Sequence, residues 1–251
     1  MPNGEIETIR RGDGVRLAFQ RNAGAGPTLV WLSGFKSDMG GTKAEALARW
    51  STSAGRSFLR LDYSGCGRSE GRFEDGTISR WLADALCVID AASAGPLTLV
   101  GSSMGGWIAL LVALARPERI ASLLLIAPAP DFTERLMWES FPDEVRAEIL
   151  ERGRWERPSP YDPEPYVITR ALIEDGRRHL LLHRPIPITA PVRILQGMQD
   201  PDVPWRHALA LVEALVSTDV TLTLIKDGDH RLSRPQDLER LIGVASAPPC
   251  S

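Results

Sequence analysis

The chain is poor in lysine, cysteine and histidine. Its 251 residues include three lysines (Lys36, Lys43 and Lys226), three cysteines (Cys66, Cys87 and Cys250) and four histidines. Lys and Arg together number 29 against 32 Asp and Glu, a net charge of −3, so there is no surplus of positive charge with which to neutralise a phosphate backbone. Nucleic acid is not an expected partner. Arginine supplies almost all of the positive charge, which fits an arginine-favouring, GC-rich coding sequence and a bacterial source. Three cysteines cannot all pair and none lies in a C-x-x-C, as expected in a reducing compartment. No apolar run approaches the roughly 18 residues a membrane span needs, and MPNGEIETIRRGDG carries no apolar targeting core. A cytoplasmic protein with no membrane span is the expectation. With 43% hydrophobic and 24% charged residues and no repeat or low-complexity tract, the composition is that of a globular fold.

What the sequence does have is a regular alternation. IETIRR and VRLAFQR flank Gly12-Asp13-Gly14 and read as a hairpin. Short runs that are apolar on both faces follow, at 28–34, 57–65, 97–103, 122–129, 192–197 and 220–228, as buried parallel strands require. Between several of them lie stretches with helical spacing, at 43–55, 78–95, 105–117 and 205–217. The pattern predicts one α/β domain over 1–251, with a mostly parallel central sheet and helices on both faces. From about 131 to 189 the alternation breaks. FTERLMWESFPDEVRAEILERG and PYVITRALIEDGRRHLLLH predict two helical pieces around the proline-rich WERPSPYDPEP. An interruption of this length inside a domain is usually functional and reads as a helical lid, the alternative being a packing excursion.

The chemistry is carried by Gly101-Ser102-Ser103-Met104-Gly105, a G-x-S-x-G between a strand pattern and a helix pattern. Such a turn lifts the central serine clear of the backbone at a helix N-terminus. Serine needs a base, and the base needs an orienting group. His230, in the loop after the last strand, is the base of choice. His179 and His183 stand four apart in the inserted segment without a third ligand, so packing is preferred to metal binding, and His207 opens a helix. For the acid, Asp200 follows a strand directly and is preferred, with Asp202 as the alternative; Asp227 and Asp229 read as turn-forming. The backbone amides of Phe35 and Met104 are the expected oxyanion donors. Asp62 to Ser69, D-Y-S-G-C-G-R-S, lacks the third glycine of a dinucleotide fingerprint and reads as a structural turn.

With elbow, acid and histidine in that order, the chain resembles the α/β-hydrolase superfamily over almost its whole length. GFKSDMGGTKAEAL, LDYSGCGRSEG, LVGSSMGGW, LLLHRPIPI and STDV are similar to a mitochondrial acyl-protein thioesterase and acyl-glucuronide esterase group and its bacterial relatives. The resemblance implies a triad of Ser103, Asp200 and His230 acting on esters or thioesters. The expected substrate is a small-molecule ester or thioester or an acylated protein, and no cofactor or metal is expected. Ser33-Gly34 stands where many members have His-Gly, and the absence of a transit peptide points away from mitochondria. Trp107, Trp138, Phe141 and Tyr166 are candidate substrate contacts, with Leu136, Met137, Tyr161 and Leu172 beside them; the alternative for each is the inserted segment's own core. Arg177, Arg178 and Arg184 either attract an anionic substrate or form solvated surface. A C–C bond hydrolase, an acyltransferase and a non-catalytic ligand receptor are the competing functions on the same scaffold.

Overall fold

The computed structural model describes residues 4–157 and 165–247. In chain order the elements are β1 (Glu7–Arg10), β2 (Arg16–Asn22), β3 (Ala25–Leu32), α1 (Thr42–Ser53), β4 (Arg56–Leu61), α2 (Ile78–Ala92), β5 (Leu97–Ser102), α3 (Met104–Ala115) and β6 (Ile120–Ile126). There follow α4 (Asp143–Arg152), β7 (Arg154–Arg157), β8 (Tyr166–Thr169), α5 (Arg170–Gly176), β9 (Val192–Gly197), α6 (Trp205–Ala214), β10 (Val220–Ile225) and α7 (Pro235–Ser246).

Eight strands form one sheet in the order β1-β2-β4-β3-β5-β6-β9-β10. β2 pairs antiparallel with β1 and β4, and the remaining neighbours are parallel. The hairpin turns at Gly14, whose φ of +90° suits a residue without a Cβ. Apolar runs without polar alternation are explained by burial on both faces. On β3, Val30 and Leu32 join the side packed by α2, α3 and α6, while Leu29 and Trp31 join the side packed by α1 and α7. Trp81 and Trp107 anchor the first cluster with essentially no exposure.

The segment between β6 and β9 differs from its expected all-helical form. Residues 133–137 form a wide helical turn and 138–140 a tight one before α4 begins, and β7 and β8 pair antiparallel as a small separate sheet. Helical spacing in 165–183 runs across β8, and the Thr169 hydroxyl, accepting from Leu172 N, starts α5 only after that strand. Tyr161 and most of the proline-rich stretch lie outside the described residues, as does Cys250. α7 has no counterpart among the helices that the sequence pattern predicts. It begins at Pro235 with Asp237 in its first turn, a recognised helix start, but it buries only Asp237 and Leu241.

Buried polar groups hold the inserted segment's ends. The Asp131 carboxylate accepts from Leu181 N at 2.7 Å and Leu182 N at 2.9 Å, and the Trp107 indole donates to the His179 carbonyl at 3.2 Å. His207 Nε2 donates to the Pro130 carbonyl at 2.7 Å. These bonds close the segment back onto α3 and α6, on the side of the sheet that carries Ser103. His179 and His183 do not act as a pair: His179 Nε2 meets Ser79 Oγ at 2.6 Å and His183 is exposed.

Candidate active site

The parallel strands end along one edge, and the loops there converge. Between β5 and α3 stands Ser103, with φ +55° and ψ −119°. A non-glycine residue held in that region costs roughly 1–3 kcal/mol and persists only when its surroundings over-determine it. The Ser103 N–H donates to Ile126 O at 2.9 Å, and its carbonyl accepts from Gly106 N at 2.8 Å and Ala129 N at 3.1 Å. The glycines permit the approach: a Cβ on Gly105 would lie 2.0 Å from the Leu32 carbonyl oxygen, and one on Gly101 would lie 2.3 Å from the Gly105 oxygen.

His230 and Asp200 arrive on the loops after β10 and β9. His230 Nε2 lies 3.1 Å from Ser103 Oγ, and its Nδ1 lies 2.8 Å from Asp200 Oδ2. The Asp200 side chain has no exposed surface, so an ordered set of donors has to replace water around it. Its Oδ1 accepts from Asp202 N at 2.9 Å and Val203 N at 2.8 Å. With the carboxylate on Nδ1, the imidazole carries its proton there and turns the Nε2 lone pair toward the serine hydroxyl. Such a line of hydroxyl, imidazole and carboxylate can generate a nucleophile at neutral pH.

Of the two acids weighed, Asp200 meets His230, while Asp202 contributes its backbone amide to Asp200. Asp229 accepts from Leu232 N at 2.9 Å and Asp227 pairs with Arg234 at 2.7 Å, so both shape the histidine loop. Ligand atoms of Asp200, Asp202 and His230 also lie within 4.8 Å of one another, as a metal would require. The Asp200 oxygens and His230 Nδ1 are already committed to each other and to the loop amides.

Gly34 passes directly over the serine: a Cβ there would be 3.5 Å from Ser103 Cβ. That brings the loop bearing Phe35 to the nucleophile, and Met104 is the first residue of α3. The Phe35 ring is clasped edge-on by Phe73 at 4.9 Å, Phe132 at 5.7 Å, Trp81 at 5.8 Å and Tyr166 at 5.9 Å. Asp62 ties the same loop to its neighbour, accepting from Met39 N at 2.7 Å and Arg68 N at 2.8 Å. Burial raises the Asp62 pKa against the pull of these two amides. The D-Y-S-G-C-G-R-S segment therefore works as a turn.

The candidate substrate contacts divide. Tyr166 touches Phe35 and has the Lys36 ammonium 5.2 Å from its ring centre. Trp107 is fully buried beside Phe132, Trp138 is half-buried under the Arg177 guanidinium, and Phe141 is buried against Trp155. Arg177 pairs with Glu134 and Arg178 with Asp175. Two neighbours of the site escaped the sequence reading. Gln196 donates to Asp200, and Lys43 reaches from α1 to the Arg231 carbonyl next to His230, with burial pushing its pKa down to about 8. No local pattern marks either Lys43 or Gln196.

Residues 26–160 match the family described as serine aminopeptidase, S33. The mitochondrial palmitoyl-protein thioesterase of Mus musculus is 40% identical over 238 residues, covering 94% of this chain and 80% of that protein. The chain belongs to this hydrolase family. As a member of the α/β-hydrolase superfamily it also matches solved structures throughout. A protein from Agrobacterium vitis S4 is 47% identical with a TM-score of 0.95 and full coverage of both chains. The mouse α/β-hydrolase domain-containing protein 10 is 38% identical with a TM-score of 0.90, covering 96% of this chain and 97% of that one.

Proposed function

We propose that this α/β-hydrolase cleaves carboxylic esters and thioesters through an acyl-enzyme formed on Ser103. The observation that carries the reading is the continuous line from Ser103 Oγ through His230 to the buried Asp200 carboxylate, 3.1 Å and 2.8 Å long. His230 takes the hydroxyl proton as Oγ attacks the acyl carbonyl, and the amides of Phe35 and Met104 hold the oxyanion. His230 returns the proton to an alkoxide leaving group; a thiolate departs with less help. Water, activated by the same His230, then releases the acid, while Asp200 holds the tautomer and stabilises the imidazolium. Each oxyanion donor contributes on the order of 3 kcal/mol to lowering the barrier.

The substrate class is an acyl group on a small molecule or a protein thiol, in line with the thioesterase named above. Residues 131–189 act as a lid on one domain spanning 1–251, with Phe132 and Tyr166 packing their rings against Phe35 of the oxyanion loop. A reducing, cytoplasmic setting in a bacterium is supported by the free thiols of Cys66 and Cys87 and by the arginine-rich composition. Among the described residues no helix is long and apolar enough to cross a membrane.

The test is hydrolysis of p-nitrophenyl esters of increasing acyl length and of an S-palmitoylated peptide, by wild type and Ser103→Ala. The expected result is turnover of both classes that vanishes in the variant. Failure of folded wild type to hydrolyse any of them would move the assignment to C–C bond cleavage, acyl transfer or ligand reception.

A further inference from the structure

Gln196, on β9 four residues before Asp200, has no exposed surface. Its Nε2 lies 3.2 Å from Asp200 Oδ2, 3.0 Å from the Val203 carbonyl and 3.2 Å from the Gly197 carbonyl. All three neighbours are acceptors, so only the amide nitrogen can face them; a carboxamide turned the other way would set its oxygen against a carboxylate and two carbonyls. The buried Oε1 on the other side has no hydrogen-bond partner among the described residues, a cost accepted in exchange for the donors. Asp200 Oδ2 thus receives two side-chain donors, His230 Nδ1–H and Gln196, while Oδ1 receives the two loop amides. With every oxygen engaged twice, the carboxylate is locked in rotation.

We infer that Gln196 is a positioning residue of the reaction, which fixes the Asp200 carboxylate and limits its basicity toward His230 by sharing Oδ2. A donor on the charged oxygen withdraws electron density that would otherwise strengthen the bond to the imidazolium. Removing it leaves a more basic, less fixed carboxylate. His230 then holds its proton to higher pH and is less well aimed at Ser103. The inference rests on the proposed roles of Ser103, His230 and Asp200.

The experiment measures kcat and KM against pH for wild type, Gln196→Met and Gln196→Glu, with rates normalised to sites titrated by a fluorophosphonate. In Gln196→Met the acid limb of kcat/KM moves to higher pH by about half a unit or more, and kcat falls roughly tenfold with KM nearly unchanged. In Gln196→Glu the neutral acid can donate to Oδ2 as the amide does, while the ionised form repels it. Its rate relative to Gln196→Met therefore rises as pH falls. A packing role alone would lower the titratable fraction and leave the pH profile in place. An unmoved acid limb in the folded fraction of both variants overturns the inference, and if only one variant folds its limb decides. Wild type that neither labels nor turns over would instead sink the Ser103 reading itself.

Discussion

Substituting Gly105 tests whether the tight contact between α3 and the end of β3 sets the geometry of the site. In Gly105→Ala the new Cβ falls 2.0 Å from the Leu32 carbonyl oxygen and 2.6 Å from both the Leu32 carbon and the Ser33 oxygen. All are backbone atoms, so no side chain can swing away. Restoring ordinary contact requires α3 and the β3 terminus to part by about 1.4 Å, and overpacking of this kind costs about 1–3 kcal/mol. For a chain of this size that corresponds to roughly 3–10 °C in Tm. Leu32 and Ser33 lead into Phe35, and Met104 precedes Gly105, so the displacement separates the two amides assigned to the oxyanion. A misplacement near 1 Å costs on the order of 100-fold in rate. Thermal unfolding, with kcat per titrated serine on a p-nitrophenyl ester, reads both effects. Gly243→Ala is the control, because a Cβ there meets nothing within 4 Å among the described residues and Gly243 lies inside α7. It should stabilise by about 0.5–1 kcal/mol and leave kcat alone. A Gly105→Ala protein with wild-type Tm and kcat would refute the reasoning.

Asp200→Asn should lower kcat by about four orders of magnitude, because the amide favours the wrong imidazole tautomer. Asp202→Asn, which retains the backbone N–H that Asp200 uses, should stay within about twofold. Comparable losses in both would contradict the assignment of the acid. Burial holds the His207 pKa below its ordinary 6.5 despite the bond to the Pro130 carbonyl. The unfolded chain therefore takes up the proton first, and this share of stability is present above pH 6.5 and lost as pH falls below it. His207→Gln should make the decline of Tm between pH 7 and pH 5 shallower than in wild type, and an equal slope would remove His207 as a contributor. Burial pushes the Cys66 thiol up to about 12, so residue-resolved alkylation at pH 8 should spare Cys66 in native protein and modify it after unfolding. Rapid native labelling would contradict its burial.

The alternation of strand and helix was readable because burial on both sheet faces leaves uninterrupted apolar runs, and the elbow was readable because its backbone demands glycine at fixed offsets. Asp200 and His230 could be chosen because each follows a strand directly. The pairing of β7 with β8 was hidden: each has four residues, the sequence between them is rich in proline, and the helical period of α5 extends back across β8. Gln196 and Lys43 were hidden for another reason. Their contacts arise only in the folded chain, Lys43 reaching from α1 to the loop after β10 and Gln196 from β9 to the turn that follows it, and no periodicity relates Lys43 to Arg231 or a strand residue to the carboxylate beyond its turn.

The most direct measurement is intact-mass analysis after treatment with a fluorophosphonate, followed by peptide mapping of the adduct in wild type, Ser103→Ala and His230→Ala. The account predicts one adduct per chain on Ser103, none in Ser103→Ala and greatly slowed labelling in His230→Ala. A folded wild type that stays unmodified, or an adduct that persists in Ser103→Ala, would contradict it.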